Sequence, residues 1–123
     1  MDKRRLVIVG GGMAGLCAAI SASEAMHMQD NIKVEILLLD AGKEPGHKIL
    51  ATGNGRCNLT NRRQDKAFYR TGDQEADFLF HPDGWDLEMT DFMESLGILL
   101  HERDGYVYPR CDQASAVREQ LLR

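Results

Sequence analysis

Three glycines, Gly10, Gly12 and Gly15, follow directly on the apolar run Leu6-Val7-Ile8-Val9 and open an alanine-rich stretch without proline. Few arrangements restrict a fold as tightly. A strand, a glycine turn and a helix in that succession put the free N–H groups of a helix N-terminus where a phosphate can reach them. In the pattern GxGxxG each glycine has its own task. Gly10 makes the tight turn, Gly12 admits a phosphate close to the backbone, and Gly15 lets the helix pack closely on the strand. Met13 and Ala14 lie between the last two, at the start of the helix.

The flanking pattern supports that order. Val7, Ile8 and Val9 are β-branched, and four consecutive apolar residues predict a strand buried on both faces of a parallel sheet. Residues 13–28 carry Leu16, Ala19, Ile20, Ser23 and His27 at helical spacing, with Ala14, Ala18, Ala19 and Ala22 small enough to let the helix approach the sheet. Gln29, Asp30 and Asn31 break it, and the run from Val34 to Leu39 predicts a second strand ending at Asp40. The fold class is therefore α/β, built on a β, α, β unit. A carboxylate at Asp40 can accept hydrogen bonds from both hydroxyls of an adenosine ribose, and it repels a 2′-phosphate, which favours FAD or NAD over NADP. Asp40 falls somewhat beyond the spacing of about 20 residues usual for that acid; a longer turn at residues 26–32 is the expected reason. The alternative is an α/β unit whose glycines only turn the chain and whose Asp40 only solvates a strand end.

A chain of 123 residues is one small domain, too short for an FAD domain together with a substrate domain. Its hydrophobic fraction of 43% and charged fraction of 28% belong to an ordinary soluble protein. The net charge of -4, with acids scattered along the chain, argues against a general nucleic-acid binder. Cys17, Cys57 and Cys111 are odd in number and far apart, so they form neither a disulfide framework nor a CxxC pair, and a reducing, cytoplasmic setting is expected. Lys3-Arg4-Arg5, the apolar stretch and the small residues at 21–25 imitate a signal peptide. The glycines interrupt its apolar part, and cleavage there would remove the whole motif, so the chain is not read as secreted. Asn58-Leu59-Thr60 is accordingly not read as a glycosylation site. No apolar run approaches the roughly 20 residues that span a membrane.

The chain divides into residues 1–61, the βαβ unit with a glycine-rich loop, and residues 62–123, a helix, a hairpin and the start of a further helix. A polar connection covers residues 61–76. Trp85, Met89, Phe92 and Leu96 have helical spacing, and Gly97 is placed to end that helix. Asp104-Gly105 predicts a hairpin turn between strands at residues 98–102 and 106–108. From Asp112, a candidate N-cap, the chain reads as helical through Ala116, Val117, Gln120 and Leu121. That pattern is still running at Arg123, so the sequence reads as the front portion of something longer.

Residues 46–61 form the second distinctive stretch. Glycines that permit unusual backbone angles mix with donors from Lys48, Thr52, Asn54, Arg56 and Asn58, just after the second strand. Such a loop can bring N–H groups and cations to a pyrophosphate or to the polar edge of a flavin. It can equally be a solvated loop whose asparagines and glycines serve as turn residues.

With its neighbours, this stretch resembles a known family. GGGMAG at residues 10–15, HKILATGNGRCNLTN at residues 47–61 and ESLGILLHERDGYVYPRCDQASAV at residues 94–117, in that order, are similar to the BaiN/RdsA, or aminoacetone oxidase, family of bacterial NAD(P)/FAD-dependent oxidoreductases. The resemblance covers nearly the whole chain, and GRCNLTN is far more distinctive than GxGxxG. It implies a Rossmann-like FAD-binding unit of the two-dinucleotide-binding flavoprotein type, corresponding to the N-terminal portion of considerably longer proteins. By the same resemblance Gly10, Gly12, Met13, Ala14 and Gly15 sit at the pyrophosphate and Asp40 at the adenosine ribose. His47 and Lys48 approach the ribose and phosphates, while Thr52, Gly53, Asn54 and Gly55 run toward the ribityl chain or isoalloxazine. Arg56 and Asn58 either bind the cofactor or pin the loop, and Tyr108-Pro109-Arg110 has a structural role.

The implied reaction is reduction of FAD by NAD(P)H, followed by electron transfer to an organic acceptor or to oxygen; some members are associated with unsaturated steroid acids. The expected partners are FAD and a small molecule, with neither nucleic acid nor membrane. No catalytic residue and no metal site is readable. His27, His81 and His101 have no evident carboxylate or nucleophile partner, and Cys57 reads as a packed thiol. Two further readings stand beside the flavoprotein: a truncated, non-catalytic fragment of one, and an NAD-binding module that leaves residues 46–61 unexplained.

Overall fold

A computed structural model describes residues 4–28, 33–69, 72 and 85–123. Strands β1 (Arg4–Val9) and β2 (Val34–Leu39) pair in parallel, from Arg4 opposite Val34 to Val9 opposite Leu39. Helix α1 (Met13–His27) connects them and packs on both. This is the βαβ unit that the sequence predicts, with the same bounds for the second strand.

Two expectations about this unit change. Strand β1 is not buried on both faces: Val7 is 49% and Val9 83% exposed, because α1 is the described element that covers the pair. The longer spacing to Asp40 is helical rather than a turn at its start, since Met26 and His27 still belong to α1. Gln29, Asp30 and Asn31, as well as His81 and the side chain of Trp85, lie outside the described residues.

Beyond β2 the chain forms a 3-10 segment, His47–Gly55, kinked at Thr52, where ψ is 145°, and turned by left-handed Gly53 and Asn54. Strand β3 (Thr60–Asn61) then pairs with a hairpin of β4 (Leu100–Arg103) and β5 (Tyr106–Pro109), giving an antiparallel sheet in the order β3-β5-β4. Asn61, expected in a polar connection, is thus a strand residue opposite Tyr106. Asp104 and Gly105 both have positive φ, 54° and 85°, as a two-residue I′ turn requires. Helix α2 (Trp85–Ser95) precedes the hairpin and α3 (Ala114–Leu121) follows it.

The end of α2 explains why β4 starts later than the sequence suggests. At Gly97 φ is 82°; its N–H donates to Glu94, and the Ile98 N–H donates to Met93. That is a Schellman closure with its apolar contact, since Met93 and Ile98 are both buried. Ile98 therefore belongs to the helix cap, and regular pairing begins at Leu100.

At α3 the expected N-cap moves. Gln113 occupies it without a side-chain cap bond, while Asp112 stands one residue earlier with φ 53° and turns its carboxylate to the hairpin. The two halves of the chain share one core of Leu16, Ile49, Cys57, Met93, Ile98, Ala114, Val117 and Leu121. Among the described residues no helix is long and apolar enough to cross a membrane.

Candidate functional site

The glycine loop performs three separate jobs. Gly10 has φ 104° and donates its N–H to the Leu39 carbonyl at 2.7 Å, turning the chain off β1 while staying bonded to the end of β2. Gly15 is held against that turn: a Cβ there would lie 1.7 Å from the Gly10 carbonyl oxygen. Gly12 is the N-cap of α1, and a Cβ on it would meet nothing within 4 Å. The first turn of α1 contains no acid, and no side chain caps it. Its leading N–H groups, from Met13 and Ala14 onward, therefore have no partner within the helix.

The opposite wall is built by Asp40 and the turn behind it. Its carboxylate accepts from the Gly11 N–H at 2.5 Å and from the Gly42 N–H at 2.6 Å. A Cβ on Gly11 would stand 2.8 Å from the same carboxylate, so the middle glycine of the triplet makes room for an acid. The amides of Gly42 and then Gly11 hold the Asp40 carboxyl below the usual carboxylate range, with a smaller contribution from the Lys48 charge. Gly46 closes the circuit by donating its N–H to the Gly11 carbonyl at 2.5 Å. Between the two walls is an open cleft of about 820 Å³, lined among others by Gly10, Gly12, Asp40, Gly42, His47 and Lys48.

The predicted residues separate into two groups. Gly10, Gly12, Asp40, His47 and Lys48 line one cleft, with Met13 and Ala14 at the helix start and Gly15 packed behind. Thr52, Gly53, Asn54, Gly55 and Arg56 are not on its lining. The Thr52 hydroxyl donates to the Ile49 carbonyl at 2.6 Å, and the Thr52 carbonyl accepts from Cys57 at 2.9 Å. Gly53 lies so near Asn58 that a Cβ would come within 2.6 Å of the Asn58 nitrogen. Arg56 lies over the Tyr108 ring, 5.8 Å from its centroid, and so faces the hairpin. Tyr108 in turn stacks on His101, whose Nε2 is 2.8 Å from Asp112. His101 thus has the carboxylate partner that the sequence does not reveal. Cys57 is 1% exposed, and burial pushes its thiol upward.

Residues 4–123 match the HI0933-like protein Rossmann domain. The chain belongs to that family. Among the curated proteins it is 42% identical over 118 residues to a 3-dehydro-bile acid delta(4,6)-reductase of Clostridium scindens, covering 95% of this chain. It is 32% identical over 120 residues, 94% of the chain, to the ribosomal RNA dihydrouridine synthase of Escherichia coli. A ribosomal RNA dihydrouridine synthase of Haemophilus influenzae is 31% identical over 123 residues, again 95% of the chain. The chain spans 27% of the length of each of these relatives. Because a relative is named for acting on ribosomal RNA, a net charge of -4 does not rule nucleic acid out as a partner in this family.

Four contributors to the cleft escape the sequence reading. Gly11 and Gly42 supply the amides for Asp40, Gly46 ties one loop to the other, and Arg118 braces the turn that carries Gly46. The first three stand inside stretches already rich in glycine. Arg118 offers no local signal, since its contacts are more than 70 positions away.

Proposed function

We propose that this chain binds FAD in the cleft between the glycine loop and the turn after β2, as the flavin-holding part of an oxidoreductase. The observation that carries the proposal is the open space at Gly12. The glycine sits at the N-terminus of α1, and the direction a side chain would take is empty. N–H groups without a partner in the helix, and the helix dipole, suit a pyrophosphate at that point.

The Asp40 side chain is exposed at the other end of the cleft. Each carboxylate oxygen has a second lone pair besides the one taken by Gly11 or Gly42, which leaves capacity for two ribose hydroxyls. Lys48 and His47 border the same space and would offset phosphate charge. In this reading Gly10, Gly12, Met13, Ala14 and Gly15 form the phosphate cradle. Thr52, Gly53, Asn54, Gly55 and Arg56 shape the loop on which the more distal part of the cofactor would run.

Bound flavin supplies the redox chemistry, and the protein supplies binding, orientation and electrostatics. NAD(P)H is the proposed reductant of a protein of the relatives' full length. The names of the bile-acid and ribosomal RNA relatives share one reaction class, reduction of a double bond within a ring. We extend that class, and not either substrate, to the protein of which these residues are part.

The test is a titration of the purified chain, and of a protein of full family length, with FAD, followed by visible absorption and flavin fluorescence. Saturable binding that Gly12→Val removes without changing the far-UV circular dichroism is the expected result. Absence of flavin binding in both proteins overturns the proposal. Tight NAD binding that FAD cannot displace replaces it with the NAD-binding module.

A further inference from the structure

We propose that Arg118, on α3, is a positioning residue for the phosphate cradle. The proposal rests on the FAD reading above for its ligand but on separate contacts for its mechanism. Arg118 Nε donates to the Pro45 carbonyl at 3.0 Å, and its terminal nitrogen donates to Glu44 at 3.0 Å. The very next residue, Gly46, donates its N–H to the Gly11 carbonyl in the middle of the glycine triplet. The relay therefore runs from α3 through Pro45 and Gly46 to the loop that would hold the pyrophosphate.

Three observations give the relay stiffness. The Arg118 side chain is only 18% exposed, and its stem covers Gly46 so closely that a Cβ on Gly46 would be 3.1 Å from Arg118 Cγ. The same hypothetical Cβ would lie 3.3 Å from Leu16 and 3.4 Å from Ile49, so Gly46 is clamped between α1, the 3-10 segment and α3. Next to Arg118, Val117 is fully buried in the shared core, which fixes where the guanidinium emerges. The two arms differ in weight. Glu44 is 65% exposed, and an ion pair so wet contributes little, whereas a charge-assisted bond to a fixed backbone carbonyl sets the position of the turn.

Three variants test this in the 123-residue chain: Arg118→Met, which keeps the stem over Gly46, Arg118→Ala and Glu44→Gln. The first measurement is amide hydrogen exchange of Gly46 by NMR without any cofactor, referred to the Leu59 amide that bonds Val107. Arg118→Met should speed Gly46 exchange about tenfold relative to Leu59 and weaken FAD binding by about the same factor. Glu44→Gln should leave both within about twofold. In Arg118→Ala, added guanidinium ion should restore FAD affinity, and sodium at equal ionic strength should not.

Unchanged Gly46 exchange in Arg118→Met overturns the relay. Faster exchange with unchanged FAD affinity overturns the positioning role. If neither the wild-type chain nor a protein of full family length binds FAD, the ligand assignment fails and this proposal with it; that failure shows in the wild-type titrations alone, whatever Gly46 exchange does in Arg118→Met.

Discussion

Gly15 lies so close to Gly10 that a methyl group on its Cα would come within 1.7 Å of the Gly10 carbonyl oxygen. This contact brings α1 down onto the turn after β1. Gly12, three residues earlier, has nothing within 4 Å of the same imaginary position. Two glycines of one motif therefore predict opposite phenotypes. Gly15→Ala should destabilise the fold by about 3 kcal/mol, because backbone must move to relieve the clash. Gly12→Ala should change stability by no more than about 0.5 kcal/mol, as expected for a site in open space, while weakening FAD binding. Urea denaturation alongside flavin titration of the two variants checks both halves.

Asp40 makes the cleft sensitive to acid. The Gly42 and Gly11 amides keep its carboxyl below the ordinary carboxylate value in the folded chain. The folded state thus binds fewer protons at this group than the unfolded state. Its stabilising contribution is complete above the unfolded value, about 3.9, and is lost as pH falls through the lower folded value. Asp40→Asn should lower Tm at neutral pH, since an amide can accept from one glycine N–H but presents its own N–H groups to the other. The difference between wild type and variant should persist down to about pH 4 and close as pH falls further, through the lower folded value, as measured by thermal unfolding from neutral pH into acid.

Local pattern carried most of the first half of the chain. The strand before Gly10, the helix after it and the strand ending at Asp40 are each set by neighbours within a few positions, and each stands where the sequence puts it. The Asp104-Gly105 turn and the Gly97 stop are equally local, being demands on single φ angles. What the sequence hides depends on partners brought from afar. Burial of β1 is decided by what lies on its other face, Asp112 is diverted from capping by a histidine across the hairpin, and Arg118 meets Pro45 only after α3 has packed. Thr52 and Arg56 are intermediate: their residue types suit a cofactor loop, but Ile49 and Tyr108 engage them in the folded chain.

The Asp112 arrangement predicts an ordering of variants. Its backbone is left-handed at φ 53°, and its carboxylate meets His101 at 2.8 Å and Arg103 at 3.5 Å. The hydrogen bond from His101 is the main cause that holds its carboxyl below the usual range. Asparagine tolerates this backbone and keeps one acceptor, whereas alanine tolerates it poorly and keeps none. Tm should fall from wild type through Asp112→Asn to Asp112→Ala. The Ala deficit should narrow in acid, because a carboxylate with a depressed value loses its contribution as pH falls through that value.

The open face of β1 predicts that this chain associates. Leu6, Val7 and Leu39 are 37%, 49% and 51% exposed on a parallel pair that, among the described residues, has two strands and an unpaired edge, a combination with apolar surface that recruits other strands. Val7→Thr keeps a β-branched residue in the strand while making its surface polar. Light scattering over a concentration series should show less association for Val7→Thr than for wild type. Equal, strictly monomeric behaviour of both proteins would contradict this reading of the face.

The three thiols should separate by rate under alkylation. Burial raises the thiol pKa of Cys57 and Cys17, while Cys111 is exposed. The thiolate is the reactive form, so a raised pKa and a closed environment slow the reaction together. Cys57 is also 1% exposed and belongs to the core with Ile49 and Val117, so reagent reaches it only when that core opens. Timed maleimide labelling at neutral pH, read residue by residue by mass spectrometry, should modify Cys111 first, Cys17 more slowly and Cys57 at a rate that rises with urea. Rapid labelling of Cys57 in the native chain would show instead that the segment carrying Thr52 and Arg56 opens independently of the core, and the loop proposed to carry the distal part of the cofactor would then be mobile before any cofactor binds.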